Sequence, residues 1–228
     1  MMTDLSFAPV VLAGRHVRLV PLAAEHAPGL IEAALDGALW RLWYTSVPAP
    51  DAMAAEIARR LALQEMGSMA PFTVFDADGR ISGMTTFMHI DAVNRRVEIG
   101  STWYAKRVQR TPLNTEAKLL LLGHAFEALS CIAVEFRTHF FNQQSRRAIE
   151  RLGAKLDGVL RSHTVKDGVL RDTCVYSIVA SEWPAVRAHL GFKLVGGEAR
   201  IADMLAMPIK ADLDIPPRRE SAKSKDIL

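Results

Sequence analysis

The sequence predicts an α/β domain built on a mixed, mostly antiparallel sheet, and three observations carry that prediction. Strand-like and helix-like segments alternate along the chain. Two tight-turn signals, Asp78-Gly79 and Lys166-Asp167-Gly168, each separate a pair of alternating apolar runs. The segment from Thr115 to Leu129 is apolar on most sides, so it must lie against a sheet with more protein over it.

Taken in order, Arg15 to Val20 alternates as a short strand, and Pro21-Leu22 leads into a helix from Ala23 to Leu39 whose Leu30, Ala34 and Leu35 share a face. Asp51 is the expected cap of a second helix, with Met53, Ile57 and Leu61 at spacings of four. Between them the aromatic, turn-rich stretch Leu39 to Pro48 reads either as a core plug or as a substrate lid. Pro71 to Phe75 and Ile81 to His89 form an antiparallel hairpin about Asp78-Gly79, and after a turn at Asp91 to Arg95 a third strand runs from Arg96 to Tyr104.

The buried helix from Thr115 to Leu129 then gives a crossover long enough for a parallel or near-parallel pairing of the strand from Val134 to Phe140. A helix follows from Asn142 to Arg151, stopping at Leu152-Gly153-Ala154. Lys155 to Val165 and Val169 to Val179 make the second hairpin, and Ser181-Glu182-Trp183-Pro184 starts a short closing helix that reaches Leu190. The domain is expected over residues 1–198, and residues 199–228, which include the charged run from Pro216 to Lys225, read as a polar, flexible tail.

A chain of 228 residues has room for one substantial core or two small ones, and 50% hydrophobic with 23% charged residues is ordinary for a water-soluble globular protein. The net charge of +3 is too small to argue for nucleic acid, and a solvated basic surface accounts for it. Cys131 and Cys174 lie in apolar settings without CxxC or Cys/His spacing, so two buried thiols and no metal are expected. No leader-like or membrane-spanning run is recognisable, and a cytoplasmic location is expected.

From Arg96 to Gly153 the order strand, basic loop, helix, strand, helix sets helix N-termini beside strand ends, where free backbone amides can hold an anion. With Gln109-Arg110-Thr111-Pro112-Leu113-Asn114, Asn142-x-x-Ser145 and Leu152-Gly153-Ala154 in that frame, the chain resembles the GNAT superfamily of N-acetyltransferases, and within it the Rim-type ribosomal-protein acetyltransferases. The resemblance spans Leu12 to Leu194 and implies helices on both sheet faces, with a V-shaped splay between the two central strands. It further implies that acetyl-coenzyme A binds in the splay, its diphosphate on a Gln/Arg-x-x-Gly-x-Gly/Ala loop. Here that loop keeps Gln109, while Pro112 and Asn114 replace the small residues. Proline has no amide hydrogen, so one phosphate donor is expected to be missing. Lys106, Arg107 and Arg110 would offset the loss with charge, and the amides of Leu113, Asn114 and Thr115 would remain as donors alongside Thr111.

The same resemblance places Asn142 and Ser145 near the pantetheine and thioester, and a backbone donor for the acyl oxygen near Trp103 and Tyr104. Spacing alone reads Asn142 equally well as an N-cap. Where many members carry an acidic tyrosine seven residues after the asparagine this chain has Ile149, so Ser145 is the candidate acid. Amine acetylation needs a route for the amine proton. Glu98, opposite Val97 and Ile99 on its strand, and His163, on a strand expected to form the other wall of the acceptor site, are the candidate bases. An ion pair with an arginine accounts equally well for Glu98, and half-exposure on a strand for His163. Arg137 and His139 read as solvent-facing, and Arg161, Arg171 and Asp172 as a hairpin ion-pair group.

These features point to acetyl transfer onto a primary amine, a protein or peptide N-terminus, with a small-molecule amine as the alternative acceptor and a homodimer as the expected assembly. A degenerate domain that holds coenzyme A as a sensor is the rival reading, favoured by Pro112 and Ile149.

Overall fold

The computed structural model describes residues 7–45 and 47–195; the tail expected over 199–228 lies outside the described residues. The described elements are β1 (Leu12–Ala13), β2 (Val17–Pro21), α1 (Ala27–Leu35), α2 (Met53–Glu65), β3 (Met69–Asp76), β4 (Ile81–Asp91), β5 (Arg96–Tyr104), α3 (Leu113–Gly123), β6 (Ala133–His139), α4 (Gln143–Glu150), β7 (Lys155–Lys166), β8 (Val169–Val179) and α5 (Trp183–Val195). The strands form one eight-stranded sheet in the order β1-β2-β3-β4-β5-β6-β8-β7. Every pairing is antiparallel except β5 with β6, which α3 joins by a crossover.

Alternation on the strands feeds two cores. Leu30, Ala33, Met53 and Ile57 of α1 and α2 cover Met84 and Trp103 on one face. On the other, Leu113, Ala117, Leu121 and Leu122 of the helix read as mostly apolar cover Phe87, Val97 and Ile99, and Trp183 and Leu190 of α5 close over them. A fully buried Leu or Ile in such a layer contributes about 2 kcal/mol.

The element order matches the alternation, with local corrections. The first helix stops at Leu35 instead of Leu39, where Gly37 takes φ +100. Leu35 is 56% exposed, since one step of about 100° from buried Ala34 turns it outward. Neither Asp51 nor Ser181 caps a helix, because each lies within a single 3₁₀ turn that leads into the helix proper. Glu182 instead accepts from the Val179 amide (3.2 Å). The central helix does not run unchanged to Leu129; after Gly123 it passes into a π turn, His124–Ala128. Both cysteines are buried, and burial holds the Cys131 thiol at about 11, out of range as a nucleophile. Among the described residues no helix is long and apolar enough to cross a membrane.

Candidate functional site

The centre of the sheet is where the site forms. β5 and β6 pair through only Arg96, Val97 and Glu98 against Ala133, Val134 and Glu135. Beyond that point β5 continues to Tyr104 on β4 alone and β6 to His139 on β8 alone. The main chains facing each other across this wedge therefore carry polar groups with no ladder partner, so a ligand with its own polar backbone can enter. α3 begins shortly after the far end of β5 and α4 shortly after the far end of β6, so two helix N-termini follow the arms of the wedge.

The loop into α3 is organised by its side chains. Gln109 Nε2 donates to the Tyr104 carbonyl (3.0 Å), and Thr111 Oγ1 donates to the Val108 carbonyl (2.7 Å). Thr111 Oγ1 also accepts from the Leu113 amide (3.3 Å), so that amide, expected as a phosphate donor, is already engaged, and the Leu113 side chain is buried. Pro112 sits at the cap of α3 with φ −60, where an amide hydrogen has no intrahelical acceptor, and its carbonyl accepts from Glu116 (3.0 Å). The missing donor thus costs the helix nothing. Among the described residues the amides of Asn114 and Thr115 have no acceptor. Arg110 holds φ +62 and is exposed beside them.

Arg107 does not serve this loop, contrary to expectation. Its guanidinium turns inward to the Ile81 carbonyl (2.8 Å), Ser82 Oγ (3.0 Å) and Asp76 (3.5 Å), tying the loop to the β3–β4 hairpin. Lys106 and Arg110 remain as the exposed or half-exposed cations.

On the other arm, Asn142 Oδ1 accepts from the Ser145 amide (3.0 Å), so Asn142 is the N-cap of α4 whatever else it does. Ile149 is buried in the larger core, which removes that position from the wedge.

Glu98 lies at the last paired position, 5% exposed, with His89 Nδ1 at 2.7 Å and Arg137 Nε at 3.5 Å. Burial pushes its carboxyl above the usual range, against the opposing pull of His89 and Arg137. His89 itself is 61% exposed at φ +48, so the pair runs from the buried carboxyl to solvent. Arg137 also pairs with Glu135 (3.0 Å), so it is a bridging residue and not a free surface cation. Beside Ser101 a groove of ≈ 460 Å³ opens on the α2 face, lined by Pro48, Glu56, Arg59 and Arg60. Glu56 pairs with both arginines (2.7 Å each), and their charge together with hydrogen bonding holds it below the usual carboxylate range although burial opposes this.

His139, expected to face solvent, is 8% exposed, with the exposed Trp43 and Phe141 rings packed on it at 5.2 and 5.6 Å. Its Nδ1 accepts from the Phe141 amide (3.0 Å), which leaves the proton of the neutral ring on Nε2, and burial followed by the Arg171 charge keeps its pKa below the ordinary value. Arg171 donates to the Tyr44 carbonyl (3.0 Å) and Lys166 to that of Thr45, so the β7–β8 hairpin holds the aromatic stretch. Arg171 therefore stands apart from the Arg161–Asp172 pair (2.6 Å) it was grouped with. The stretch is plug and wall at once: Trp40 packs in the α1–α2 core while Trp43 is 59% exposed. His163 sits on the edge strand β7, with β8 between it and β6, exposed and 3.1 Å from Thr173 Oγ1. The structure does not bring it to Glu98. Trp103 Nε1 and Tyr104 Oη, at the end of β5, are buried without partners among the described residues. No group of three or more described His, Cys, Asp or Glu side chains is arranged to hold a metal ion.

A central wedge followed by two helix N-termini defines an α/β protein with an anion-accepting cleft at the middle of its sheet, and comparison with known proteins gives the family. The profile of the Acetyltransferase (GNAT) domain matches residues 16–155, and the chain belongs to this family. The solved GCN5-related N-acetyltransferase from Brucella melitensis superposes with a TM-score of 0.75 at 30% identity, covering 85% of this chain and 89% of that one. Mycobacterium smegmatis RimJ in complex with CoA-disulfide shares the fold at 24% identity (TM-score 0.70, covering 83% and 96%). Over 106 residues the chain is 34% identical to the Bacillus subtilis (strain 168) protein named "Putative ribosomal N-acetyltransferase YdaF", a match over 46% of this chain and 57% of that protein.

Proposed function

We propose that this protein transfers an acetyl group from acetyl-coenzyme A to a primary amine, the N-terminal α-amine of a protein or peptide, by direct attack within a ternary complex. The observation that carries the reading is the loss of β5–β6 pairing after Glu98 and Glu135, which leaves the β6-side edge of β5 from Ile99 to Tyr104 without a strand partner. The donor fits the residues present: Asn114 and Thr115 offer unengaged amides at the start of α3, Arg110 adds charge, and Gln109 and Thr111 hold the loop in shape. Acetyl-coenzyme A supplies an activated acyl carbon and a thiolate that leaves readily near neutral pH.

The chain's own groups would act as follows. Main-chain N–H groups near Trp103 and Tyr104 bind the acyl oxygen. Glu98 takes the amine proton, directly or through water, and His89 carries it to solvent. In this reading Ser145 protonates the thiolate, since Ile149 is in the core and offers no acidic group. Between the two candidate bases the burial of Glu98 at the fork of the wedge favours it over His163. The acceptor enters between the aromatic stretch, with Trp43 and Phe141, and the groove by Ser101. The name carried by the Bacillus subtilis relative supports a protein acceptor.

The test is release of free thiol from acetyl-coenzyme A in the presence of peptides with free N-termini, against the same peptides blocked. Turnover is expected only with free α-amines, and Arg110→Ala, which removes the charge beside the Asn114 and Thr115 amides, and Ser145→Ala should each lower it. Tight coenzyme A binding without turnover on any amine would make the domain a sensor; no heat on titrating acetyl-coenzyme A would remove both readings.

A further inference from the structure

Among the described residues Lys118 is the one buried lysine, and the reaction above leaves it without a role. It is 5% exposed on the sheet-facing side of α3, between Ala117 and Leu121 in sequence, and no carboxylate among the described residues pairs with it. Its Nζ donates to Thr102 Oγ1 (2.8 Å) and Thr85 Oγ1 (3.2 Å), and the two hydroxyls lie 2.8 Å from each other. The three groups close a triangle inside an otherwise apolar layer.

The position of that triangle is informative. Met84 pairs with Trp103 and Thr86 with Gly100, so Thr85 alone faces both Ser101 and Thr102, and β5 carries one extra residue there. Ser101 takes φ +48, a left-handed conformation that accommodates the extra residue. The bulge restores Thr102 to the α3 face after Gly100 and sets the direction of the main chain that leads into Trp103 and Tyr104. Thr85 can donate to Thr102, and the Thr102 hydroxyl has the Gly100 carbonyl (3.5 Å) as an acceptor, so hydrogen-bond satisfaction alone does not call for a lysine. A methionine or leucine would fill the space at far lower cost. What the amine adds is a bond from the helix to the bulge.

We propose that Lys118 is a positioning residue: it ties α3, whose first turn presents the anion-binding amides, to the bulge in β5, whose main chain faces the wedge, and so keeps the two halves of the donor site in register. This rests on the reading of the site given above. Burial alone lowers the amine to about 7, so near neutrality much of it is uncharged and can accept as well as donate between the two hydroxyls.

Lys118→Met and Thr102→Val test the tie. Lys118→Met is expected to melt no lower than the wild type, while the amides of Gly100 to Tyr104 exchange hydrogen at least about tenfold faster. Its kcat should fall by about 10- to 100-fold with the KM for acetyl-coenzyme A changed by less than about threefold, because the diphosphate amides remain and only the acyl group loses its alignment. Thr102→Val should act in the same direction, and the double variant should be no worse than the poorer single one. Unchanged exchange, or a kcat within about twofold of wild type, would reduce Lys118 to a filler of the core and overturn the proposal. A wild type that binds no acetyl-coenzyme A would fail the transferase reading instead, and the exchange comparison would still decide whether the tie exists.

Discussion

Glu98 shows how a single residue becomes a candidate base through competing influences. Burial raises its carboxyl, and the His89 ring and Arg137 partly restore the ionised form. The base must be unprotonated to act, so kcat/KM should rise with pH through this elevated pKa. Glu98→Gln is expected to lower kcat/KM by about 100-fold and to erase that limb of the pH profile, whereas His163→Gln should change it by less than about threefold. A profile that survives in Glu98→Gln would place the base elsewhere. Arg110 carries the opposite kind of tension, between a left-handed backbone and a useful charge. Arg110→Gly should raise stability by up to about 1 kcal/mol in urea titrations, since glycine takes φ +62 freely. It should also weaken coenzyme A several-fold in calorimetry, with a shallower salt dependence. The Glu98–arginine pair was readable from alternation, and Arg137 fills it. His89 was not, because its contact depends on a turn into φ +48 at the end of β4 that no local pattern announces.

At the scale of elements, the caps and close approaches decide how the wedge is framed. Asn142 holds the start of α4 through the Ser145 amide, and Asn142→Ala should cost about 1 kcal/mol in chemical denaturation whether or not the residue touches the cofactor. A change in coenzyme A affinity beyond that loss would mark a second, ligand-facing role. Gly83 governs the β4–β5 seam: at φ +151, an added Cβ would stand 2.1 Å from the Trp103 carbonyl oxygen. Gly83→Ala should therefore destabilise the protein by about 2 kcal/mol or more, read as a lowered urea midpoint. Since Trp103 lies in the part of β5 that flanks the wedge, a shift of its main chain should lower turnover further than stability alone accounts for. The elements were legible because both hairpins carry their turn glycines and the buried helix has apolar residues nearly all round. The local pattern places helix starts at Asp51 and Ser181, but each of these residues lies inside a 3₁₀ turn that precedes the first helical turn.

For the whole molecule, the buried lysine makes stability depend on pH. In the unfolded chain Lys118 has its ordinary pKa of 10.5, and in the fold about 7. Between those values the unfolded state holds the extra proton, so stability rises with pH across that window and is lost as pH falls toward 7, below which both states are protonated and the dependence ends. The slope from this one group is about 1.4 kcal/mol per pH unit. Urea titrations at pH 7.5 and 8.5 should show it in the wild type and show it missing in Lys118→Met; equal slopes would mean that the amine keeps its charge when buried.

The order of strands and helices, the two hairpins, the crossover and the loop before α3 followed from the sequence, because periodicity and turn chemistry are local and each of these elements carries its own signal. The tertiary structure alone decided which charged side chains face the site. Arg107 turned inward to the β3–β4 hairpin, His139 was covered by Trp43, and Lys118 met threonines 16 and 33 positions away. A buried charge is tolerated only where partners converge on it, and such convergence is set by strands brought together by the sheet, over distances in the chain that no local pattern records.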